Sequence, residues 1–249
     1  MKKTLNIIVT PPINGISRIK LNEPSTYNAL SSKTLKSLIN IFKSLNNENK
    51  TKVIIIEGSG KGFSGGHDLK EIRSLKKKLK YKKLFNLCSK LMLEIIEGKK
   101  PVIAKVHGAA FAAGCQLVAS CDLAVSSDDA IFATPGVNIG LFCSTPMVAV
   151  SRKVSRKKTM KMLLTGDPIN AKYAKEIGLI NDHYPISELE DEVLKLAKKI
   201  ASKSSLTIKI GKKAFYKQLE MSLRKAYQYM SEVMAKNAME PDAEEGISA

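Results

Sequence analysis

Residues 105–140 constrain the fold of this chain more than any other segment. They are mostly small and apolar, they are interrupted by glycines, and they contain the pair Ala113-Gly114 just after a predicted buried strand. A helix that begins at this pair has unpaired backbone N–H groups in its first turn, at the positive end of its dipole. Such a helix start can hold a negatively polarised oxygen.

A glycine-rich loop at residues 57–69 is the expected partner of that helix start. The loop follows residues 53–56, a continuous β-branched run that is typical of a strand covered on both faces. We predict that the loop and the helix each provide one backbone N–H group, and that both groups point at the same position.

Alternating strands and helices predict an α/β fold. Strand–helix–strand repeats of this kind form parallel βαβ units with right-handed crossovers. A turn at residues 11–15 should join the first two strands, and Asp68 can cap the helix that follows the glycine-rich loop. Strands are predicted at residues 5–9, 16–21, 53–56, 101–106 and 123–125, with a last one at 179–181.

The second half of the chain is predicted to be almost entirely helical. Earlier helices should cover the apolar positions of residues 35–45 and 84–95, and one should begin at Ala113, because apolar residues recur there at helical spacing. After Pro146, helices are predicted at residues 158–164, 171–177, 189–201, 206–219 and 223–234.

Composition limits the classes of partner. The 249 residues carry a formal net charge of +18, which favours an anionic partner or simply a lysine-rich solvated surface. The densest basic run, residues 76–83, lacks the interleaved aromatic residues of a nucleic-acid platform. Polar residues interrupt the apolar stretch at 102–125, so it does not suit a membrane span. We expect no nucleic-acid partner and no membrane partner.

The four cysteines and three histidines do not form a recognisable metal motif. Cys88, Cys115, Cys121 and Cys143 lie in apolar surroundings without a CxxC pair, so buried reduced thiols are expected. The apolar run near the N-terminus is too short for a signal peptide. These features predict a soluble cytoplasmic protein with no bound metal.

The glycine-rich loop also partly matches three known loop motifs. Phe63 stands where a dinucleotide-binding loop requires its third glycine, and the residues around Lys61 fail the phosphate-binding loop pattern. Residues 62–66 do match GxSxG, the pattern of a serine nucleophile, but Ser64 lies some distance beyond the preceding strand. The only late histidine is His183. A serine hydrolase that uses Ser64 stays open as an alternative.

Taken together, the motifs resemble the crotonase superfamily, also called the enoyl-CoA hydratase/isomerase family. The resemblance covers nearly the whole chain, and the order and spacing of the motifs are more specific than any one of them. Its strongest segments are GFSGGHDL at residues 62–69, PVIAKVHG at 101–108, AAGCQL at 112–117, CDLA at 121–124 and FATP at 132–135.

The resemblance implies an α/β spiral of ββα units with a helical C-terminal trimerisation region. The implied spiral core is residues 1–195 and the trimerisation region is residues 196–249, with assembly as a trimer or a dimer of trimers. Members bind acyl-CoA or enoyl-CoA thioesters as lyases or isomerases of fatty acid metabolism. Coenzyme A is part of the substrate, and no separate cofactor is implied.

The resemblance also implies roles for individual residues. The thioester carbonyl would accept hydrogen bonds from the backbone N–H groups of Ser64 and Ala113, which form an oxyanion hole. The residues implied to contact coenzyme A are Ser64, Gly65, Gly66, His67, Asp68, Leu69, Ala113 and Gly114.

Two positions depart from the family pattern. Hydratases of the family use two glutamates, and those positions hold Gln116 and Gly136 in this chain. Glutamine cannot act as a general base, and glycine has no side chain. We therefore expect weak or absent hydratase activity, and a non-catalytic acyl-CoA-binding or assembly protein is the alternative.

Overall fold

The computed structural model describes residues 6–248. Ten strands in this range form two sheets, and helices pack around both sheets. The strands are β1 (Ile7–Ile13), β2 (Ile16–Leu21), β3 (Val53–Gly58), β4 (Gly62–Ser64), β5 (Val102–Val106), β6 (Ala109–Phe111), β7 (Leu123–Ser127), β8 (Ile131–Ala133), β9 (Ile169–Asn170) and β10 (Asp182–Tyr184).

Helices contain a larger share of the residues toward the C-terminus. Two short 3₁₀ helices cover Pro24–Thr26 and Pro135–Ile139. The α-helices are α1 (Ser32–Asn47), α2 (Leu69–Ser74), α3 (Lys78–Ile96), α4 (Ala113–Ser120), α5 (Ser144–Val150), α6 (Arg156–Thr165), α7 (Ala171–Glu176), α8 (Ile186–Ala201), α9 (Ser205–Gln218), α10 (Leu223–Ala238) and α11 (Pro241–Ser248).

The larger sheet has six strands in the order β1-β2-β3-β5-β7-β10. Its strands are parallel except for the antiparallel pair β1–β2. One face packs against α1 and α3, and the other packs against the apolar side of α8. Every residue of β3 is buried, as the apolar run at residues 53–56 predicted for those four, and the burial extends to the charged residue Glu57.

A second, four-stranded sheet in the order β4-β6-β8-β9 was not predicted. Its strands are two or three residues long, which is too short to show an alternating pattern. This sheet contains the middle of the glycine-rich loop as β4, and it fixes where the rest of that loop and the start of α4 lie. The mixed α/β architecture with a helical C-terminal part confirms the predicted fold class.

Two sequence predictions about strands are wrong. Strand β1 continues through Pro11 and Pro12 to Ile13, because it is an edge strand with an irregular register, where missing N–H donors are tolerated. The turn is only Asn14-Gly15, and both residues have positive φ angles. The start of the predicted strand at 5–9 lies partly outside the described residues.

The predicted strand at residues 179–181 is absent, and β10 begins at Asp182 instead. Leu179 and Ile180 are buried in the main core. Asn181 holds this segment beside β7, since its side-chain Oδ1 accepts a hydrogen bond from the N–H of Ala124 at 2.8 Å. Side-chain packing and this side-chain hydrogen bond hold the segment in place, and it forms no regular strand ladder.

Buried polar contacts fasten α9 to the core. The Lys212 ammonium donates to Asp122 Oδ2 at 2.7 Å and to the carbonyls of Ile95 and Lys100 at 2.8 Å. Tyr216 donates to Asp122 Oδ1 at 3.0 Å. Helix α8 runs without a break across residue 195, so a separate region from 196 onward stays a prediction.

Candidate functional site

The two glycine-containing segments meet backbone to backbone. A Cβ atom on Gly114 would lie 2.3 Å from the carbonyl oxygen of Ser64. A Cβ atom on Gly66 would lie 2.9 Å from the carbonyl oxygen of Phe111 and 3.2 Å from the nitrogen of Ala113. Side chains cannot occupy such short distances, so glycine is required at both positions. The loop after β4 and the start of α4 are therefore in direct contact, as predicted.

Hydrogen bonds hold the loop after β4 in one conformation. The N–H of Gly65 donates to the Tyr27 carbonyl at 2.8 Å, and the N–H of Gly66 donates to Ser64 Oγ at 3.2 Å. The carbonyl of Gly66 accepts from the N–H of Leu30 at 2.7 Å. The next amide, that of His67, has no acceptor among residues 6–248.

Asn28 organises this loop and was not singled out from the sequence. Its buried side-chain amide donates to the carbonyls of Ser59 and Gly62 at 2.9 Å and of Phe63 at 3.2 Å. Its Oδ1 accepts from the N–H of Glu23 at 2.9 Å. Asn28 itself has a φ of 53°, a left-handed conformation that asparagine adopts more readily than most residues. Asn28 lies in a mostly polar stretch at residues 22–32, where one more polar residue gave no signal of this role.

The start of α4 is strained and fixed. Ala112 has φ 48° and ψ −114°, an unfavourable conformation for a residue with a side chain. Its N–H donates to the Ala133 carbonyl at 2.9 Å, and its carbonyl accepts from the N–H of Gln116 at 2.9 Å. This sharp bend turns the chain from β6 into α4. The buried N–H of Ala113 is then left without an acceptor among the described residues.

Ser64 is buried and its hydroxyl is engaged. It lies in the small sheet opposite Ala110, and its Oγ donates to the Asn28 carbonyl at 3.0 Å. Each of the three histidines bonds to another group: His67 to the Leu30 carbonyl, His107 to the Gly60 carbonyl and His183 to Asp128. The structure therefore gives no support to a serine nucleophile at Ser64.

His67 is a neutral, partly buried side chain beside α3. Its Nδ1 donates to the Leu30 carbonyl at 3.1 Å, and its ring meets the ring of Phe85 at 5.5 Å. Burial is the main cause that lowers the pKa of His67 below its ordinary value. The ring therefore carries no charge at neutral pH.

Asp68 and Leu69, both predicted to contact coenzyme A, have different surroundings. Asp68 caps α2, since its Oδ1 accepts from the N–H groups of Lys70 at 2.8 Å and Glu71 at 3.2 Å. Glu71 in turn accepts from the N–H of Ser32 at 2.8 Å, which ties α2 to α1. Leu69 is exposed. In this structure the side chain of Asp68 shapes the loop, and that of Leu69 is free to contact a ligand.

Gln116 lies in the interior of α4, and its side chain points toward α3. Its Oε1 accepts from the thiol of Cys88 at 3.7 Å. Burial raises the pKa of Cys88 to about 12, so the thiol keeps its proton and acts as the donor. Gln116 is buried and its amide side chain is neutral, so the first predicted acid/base position carries no charge.

Gly136 occupies a closed position in the 3₁₀ helix Pro135–Ile139. A Cβ atom there would lie 2.0 Å from the carbonyl oxygen of Leu141 and 2.9 Å from Cys143 Sγ. Desolvation by burial raises the pKa of the Cys143 thiol. The second predicted acid/base position thus has no side chain, and the surrounding backbone leaves no room for one.

Within the described part of the chain, no group of three or more metal-binding side chains is close enough to hold an ion. No helix in that part is long and apolar enough to cross a membrane. All four cysteines are free and buried, which confirms the prediction of buried thiols.

Comparison with known proteins gives consistent matches along the chain. The chain is 48% identical over 237 residues to the human protein named enoyl-CoA hydratase domain-containing protein 3, mitochondrial, which covers 95% of this chain and 78% of the human one. Mouse and rat proteins of the same name are also 48% identical. The expectation of a cytoplasmic protein is therefore wrong, since these relatives are all named mitochondrial.

Solved structures agree with this relationship. A crystal structure of enoyl-CoA hydratase from Mycobacterium smegmatis superimposes with a TM-score of 0.97 at 43% identity, and covers 99% of this chain and 96% of that one. The crystal structure of human enoyl-CoA hydratase domain-containing protein 3 gives a TM-score of 0.95 at 46% identity, with coverage of 98% and 96%. The family model described as enoyl-CoA hydratase/isomerase matches residues 13–249, and this chain belongs to that family.

Proposed function

We propose that this protein binds an acyl-CoA thioester and polarises its carbonyl group with two backbone N–H donors. One donor is the N–H of Ala113, which is buried and has no acceptor among residues 6–248. We place the other at His67 instead of Ser64, because Ser64 is paired within the small sheet and the amides of Gly65 and Gly66 are already engaged. The contact between Gly66 and Ala113 is the observation that supports this pairing.

Two such donors would stabilise the negative charge that develops on the thioester oxygen. Donors that are already oriented lose little energy in reorganising, and removal of one from an oxyanion hole costs about 3–4 kcal/mol of transition-state stabilisation in known enzymes. The bonds around Ala112 and Gly66 hold the two amides in fixed positions. The proposed site therefore favours an enolate-like state over the neutral thioester.

Proton transfer is the part of hydratase chemistry that this site lacks. Gln116 cannot accept a proton, and its Oε1 is already engaged by Cys88. Gly136 has no side chain, and the Leu141 carbonyl occupies the space beside it. We infer that hydration of enoyl-CoA is weak or absent in this protein. A non-catalytic acyl-CoA-binding protein is the second candidate, and it is favoured by the same two residues.

The test uses cinnamoyl-CoA, a thioester whose absorption moves to longer wavelength when its carbonyl is polarised. We expect wild-type protein to bind it with a clear red shift and to hydrate crotonyl-CoA far more slowly than ordinary family hydratases. Gly66→Ala should reduce the red shift, because its Cβ would press on the Phe111 carbonyl and displace the Ala113 amide. Gly211→Ala is the matched control, since no atom of residues 6–248 lies within 4 Å of a Cβ at that position.

Each outcome separates the candidate functions. Binding with no red shift would favour the non-catalytic binder, and failure to bind any acyl-CoA would overturn both. Fast hydration would show that some group other than Gln116 transfers the proton. Labelling of the protein by a fluorophosphonate would revive the serine hydrolase, which requires a reactive Ser64.

We also propose that α9 and α10 pack against other copies of this chain in a trimer or a dimer of trimers. These helices expose large apolar side chains, which in a monomer would be in contact with water. Association of several copies would bury these side chains, and burial of apolar surface is favourable. The exposed apolar residues on or beside them are Phe215, Leu219, Leu223, Tyr227, Met234 and Met239.

Sedimentation analysis tests the assembly. We expect Leu223→Lys with Met234→Lys to shift the protein toward the monomer. Leu79→Lys on α3 is the control, because Leu79 is similarly exposed but far along the chain from these helices. A wild-type protein that is monomeric at micromolar concentration would contradict the proposal.

A further inference from the structure

A basic cavity lies on the side of the molecule away from the candidate site. It has a volume of about 240 Å³ and is formed by the end of α1, the segment before β5 and the first turns of α9. We call it the lysine hollow, and its defining residues are Lys99, Lys100, Lys209, Asn46, Asn47 and Ser205.

Position separates the lysine hollow from the candidate site. Lys99 and Lys100 immediately precede β5, so they lie at the amino-terminal edge of the parallel sheet. The glycine-rich loop and α4 follow the carboxyl-terminal ends of β3 and β5, at the opposite edge. A ligand in the hollow therefore cannot be the acyl group held at Ala113.

Three lysines line the lysine hollow, and none of its lining residues within 6–248 is a carboxylate, although Glu48 lies near Lys100. Lys99 donates to Asn47 Oδ1 at 3.1 Å, and no ion pair among residues 6–248 involves Lys100 or Lys209. Burial lowers the pKa of Lys100, and the positive charges of Lys99 and Lys209 lower it further, while the nearby carboxylate of Glu48 acts in the opposite direction. Like charges thus face one another across the lysine hollow.

A lysine one turn further along α9 shows the contrast. Lys212 is buried and its ammonium has three acceptors, namely Asp122 and the carbonyls of Ile95 and Lys100. Lys209 lies three residues earlier, on the same side of the helix, and faces the hollow. The chain supplies acceptors for Lys212 from its own groups, whereas no ion pair among residues 6–248 involves Lys209.

The neutral side chains of the hollow add further donors. Asn46 Oδ1 accepts from the N–H groups of Lys99 at 2.8 Å and Lys100 at 3.1 Å, and Asn47 Oδ1 accepts from Lys99. Because the oxygens of both amides are engaged, their NH₂ groups are the parts left to bind a ligand. Ammonium, amide and hydroxyl donors together suit an oxyanion with several oxygens.

We propose that the lysine hollow binds the phosphate group of a small ligand, with Lys100 and Lys209 as its main cationic contacts. A phosphate carries up to two negative charges and accepts several hydrogen bonds, which matches three lysines without a carboxylate. Because Lys100 belongs to the core and Lys209 to α9, the bound phosphate bridges these two parts. Binding therefore stabilises the docking of α9.

Titration calorimetry on the full chain tests the proposal with three phosphate probes: orthophosphate, ADP, and vesicles that contain phosphatidate. The double variant Lys100→Gln, Lys209→Gln is compared with Lys172→Gln, Lys225→Gln, which removes the same charge from exposed positions outside the hollow. We expect the first variant to weaken binding by about tenfold or more and the second to change it by less than about twofold. The tightest probe identifies the source of the phosphate.

Three results would overturn the proposal: no binding of any probe to wild type, equal losses in both double variants, or a loss that accompanies unfolding of the hollow variant. Equal losses would mean general attraction to a basic surface. Circular dichroism checks folding, and cinnamoyl-CoA binding is measured on the same samples. The hollow variant should keep its affinity for cinnamoyl-CoA, so failure of this proposal is distinguishable from failure of the proposed function.

Discussion

The candidate site and the face of the large sheet beneath α8 are built from different kinds of polar group. Beneath α8, Glu57 and Glu190 are held by Arg18 and Lys105, with Arg18–Glu190 at 2.6 Å and Lys105–Glu57 at 2.6 Å. At the candidate site the donors are backbone amides, and the one buried polar side chain of α4 that reaches α3, that of Gln116, is neutral.

This difference shows which interactions stabilise each region. The charged network depends on matched partners, because a buried carboxylate without a cation is strongly disfavoured. The backbone site depends on close approach, so its weak points are glycines and a strained alanine. Substitutions that add a side chain or a charge to the backbone site, or remove a charge from the network, should therefore show which kind of interaction stabilises each region.

The largest effect is expected from Gly114→Ala. Its Cβ would lie 2.3 Å from the Ser64 carbonyl, so two backbone segments must move apart. We expect a loss of about 3 kcal/mol in the free energy of unfolding and loss of the cinnamoyl-CoA red shift. Gly211→Ala, also in a helix but with open space around it, should gain about 1 kcal/mol. Equal effects of the two substitutions, measured by urea unfolding, would mean that the close contact is unimportant.

Gln116→Glu places a carboxylate at a buried position whose described side-chain partner is the neutral thiol of Cys88. We expect burial to raise the pKa of the new glutamate, and a raised carboxyl pKa makes the folded state lose stability as pH increases. The loss should reach about 2 kcal/mol at pH 8 and be small near pH 4. The control Gln228→Glu, at an exposed position of α10, should show no such trend. A pH-independent loss in Gln116→Glu would point to poor packing instead of charge burial.

Glu190→Gln tests the charged network. Hydrogen bonds from Arg18 are the main cause that lowers the pKa of Glu190 from 4.5 to about 2. A lowered carboxyl pKa contributes stability above pH 4.5, and this contribution disappears as pH falls toward 2. Since Glu190 is 41% exposed, we expect screening to limit the loss at pH 7 to about 1 kcal/mol.

The control for that measurement is Asp191→Asn, which changes the charge of an exposed neighbour in the same helix. Unfolding curves from pH 2 to pH 8 should show wild type and Glu190→Gln converging at the acidic end, while Asp191→Asn follows wild type throughout. A constant difference between wild type and Glu190→Gln would contradict the assignment to ionisation.

The smallest effect, with the opposite sign, is expected from Ala112→Gly. Glycine relieves the strain at φ 48° and ψ −114°, although it also increases the entropy of the unfolded chain. We expect a gain of about 0.5 kcal/mol with thioester binding preserved. Ala119→Gly, inside α4, should instead lose about 1 kcal/mol. A loss at position 112 would mean that its backbone is not strained.

The large sheet and most helices could be predicted from the sequence because apolar residues repeat at strand or helix spacing over many residues. The small sheet could not, because strands such as Ile131–Ala133 and Ile169–Asn170 are too short for any repeat. The edge strand β1 was cut short in the prediction because Pro11 and Pro12 usually mark turns, whereas an irregular edge tolerates them.

The candidate site was predictable at the level of segments but not of atoms. The glycines of both segments indicated a close approach, and Gln116 and Gly136 could be recognised by position. Which backbone amide is free depends on the hydrogen bonds of Gly65 and Gly66. Their acceptors are the Tyr27 carbonyl and the Ser64 hydroxyl, and no sequence motif predicts these contacts. The closed surroundings of Gly136 come from residues five and seven positions later, which no local pattern reveals.

The contacts around Gly136 also restrict the mutational routes open to this protein. Any residue with a Cβ at 136 would lie 2.0 Å from the Leu141 carbonyl oxygen, so a carboxylate side chain fits there only if the backbone shifts. The backbone at 141–143 would first have to change, and those changes bring no catalytic benefit until the acidic residue arrives. Descendants of this chain can therefore acquire new chemistry more readily elsewhere in the pocket than by recovering an acid at position 136.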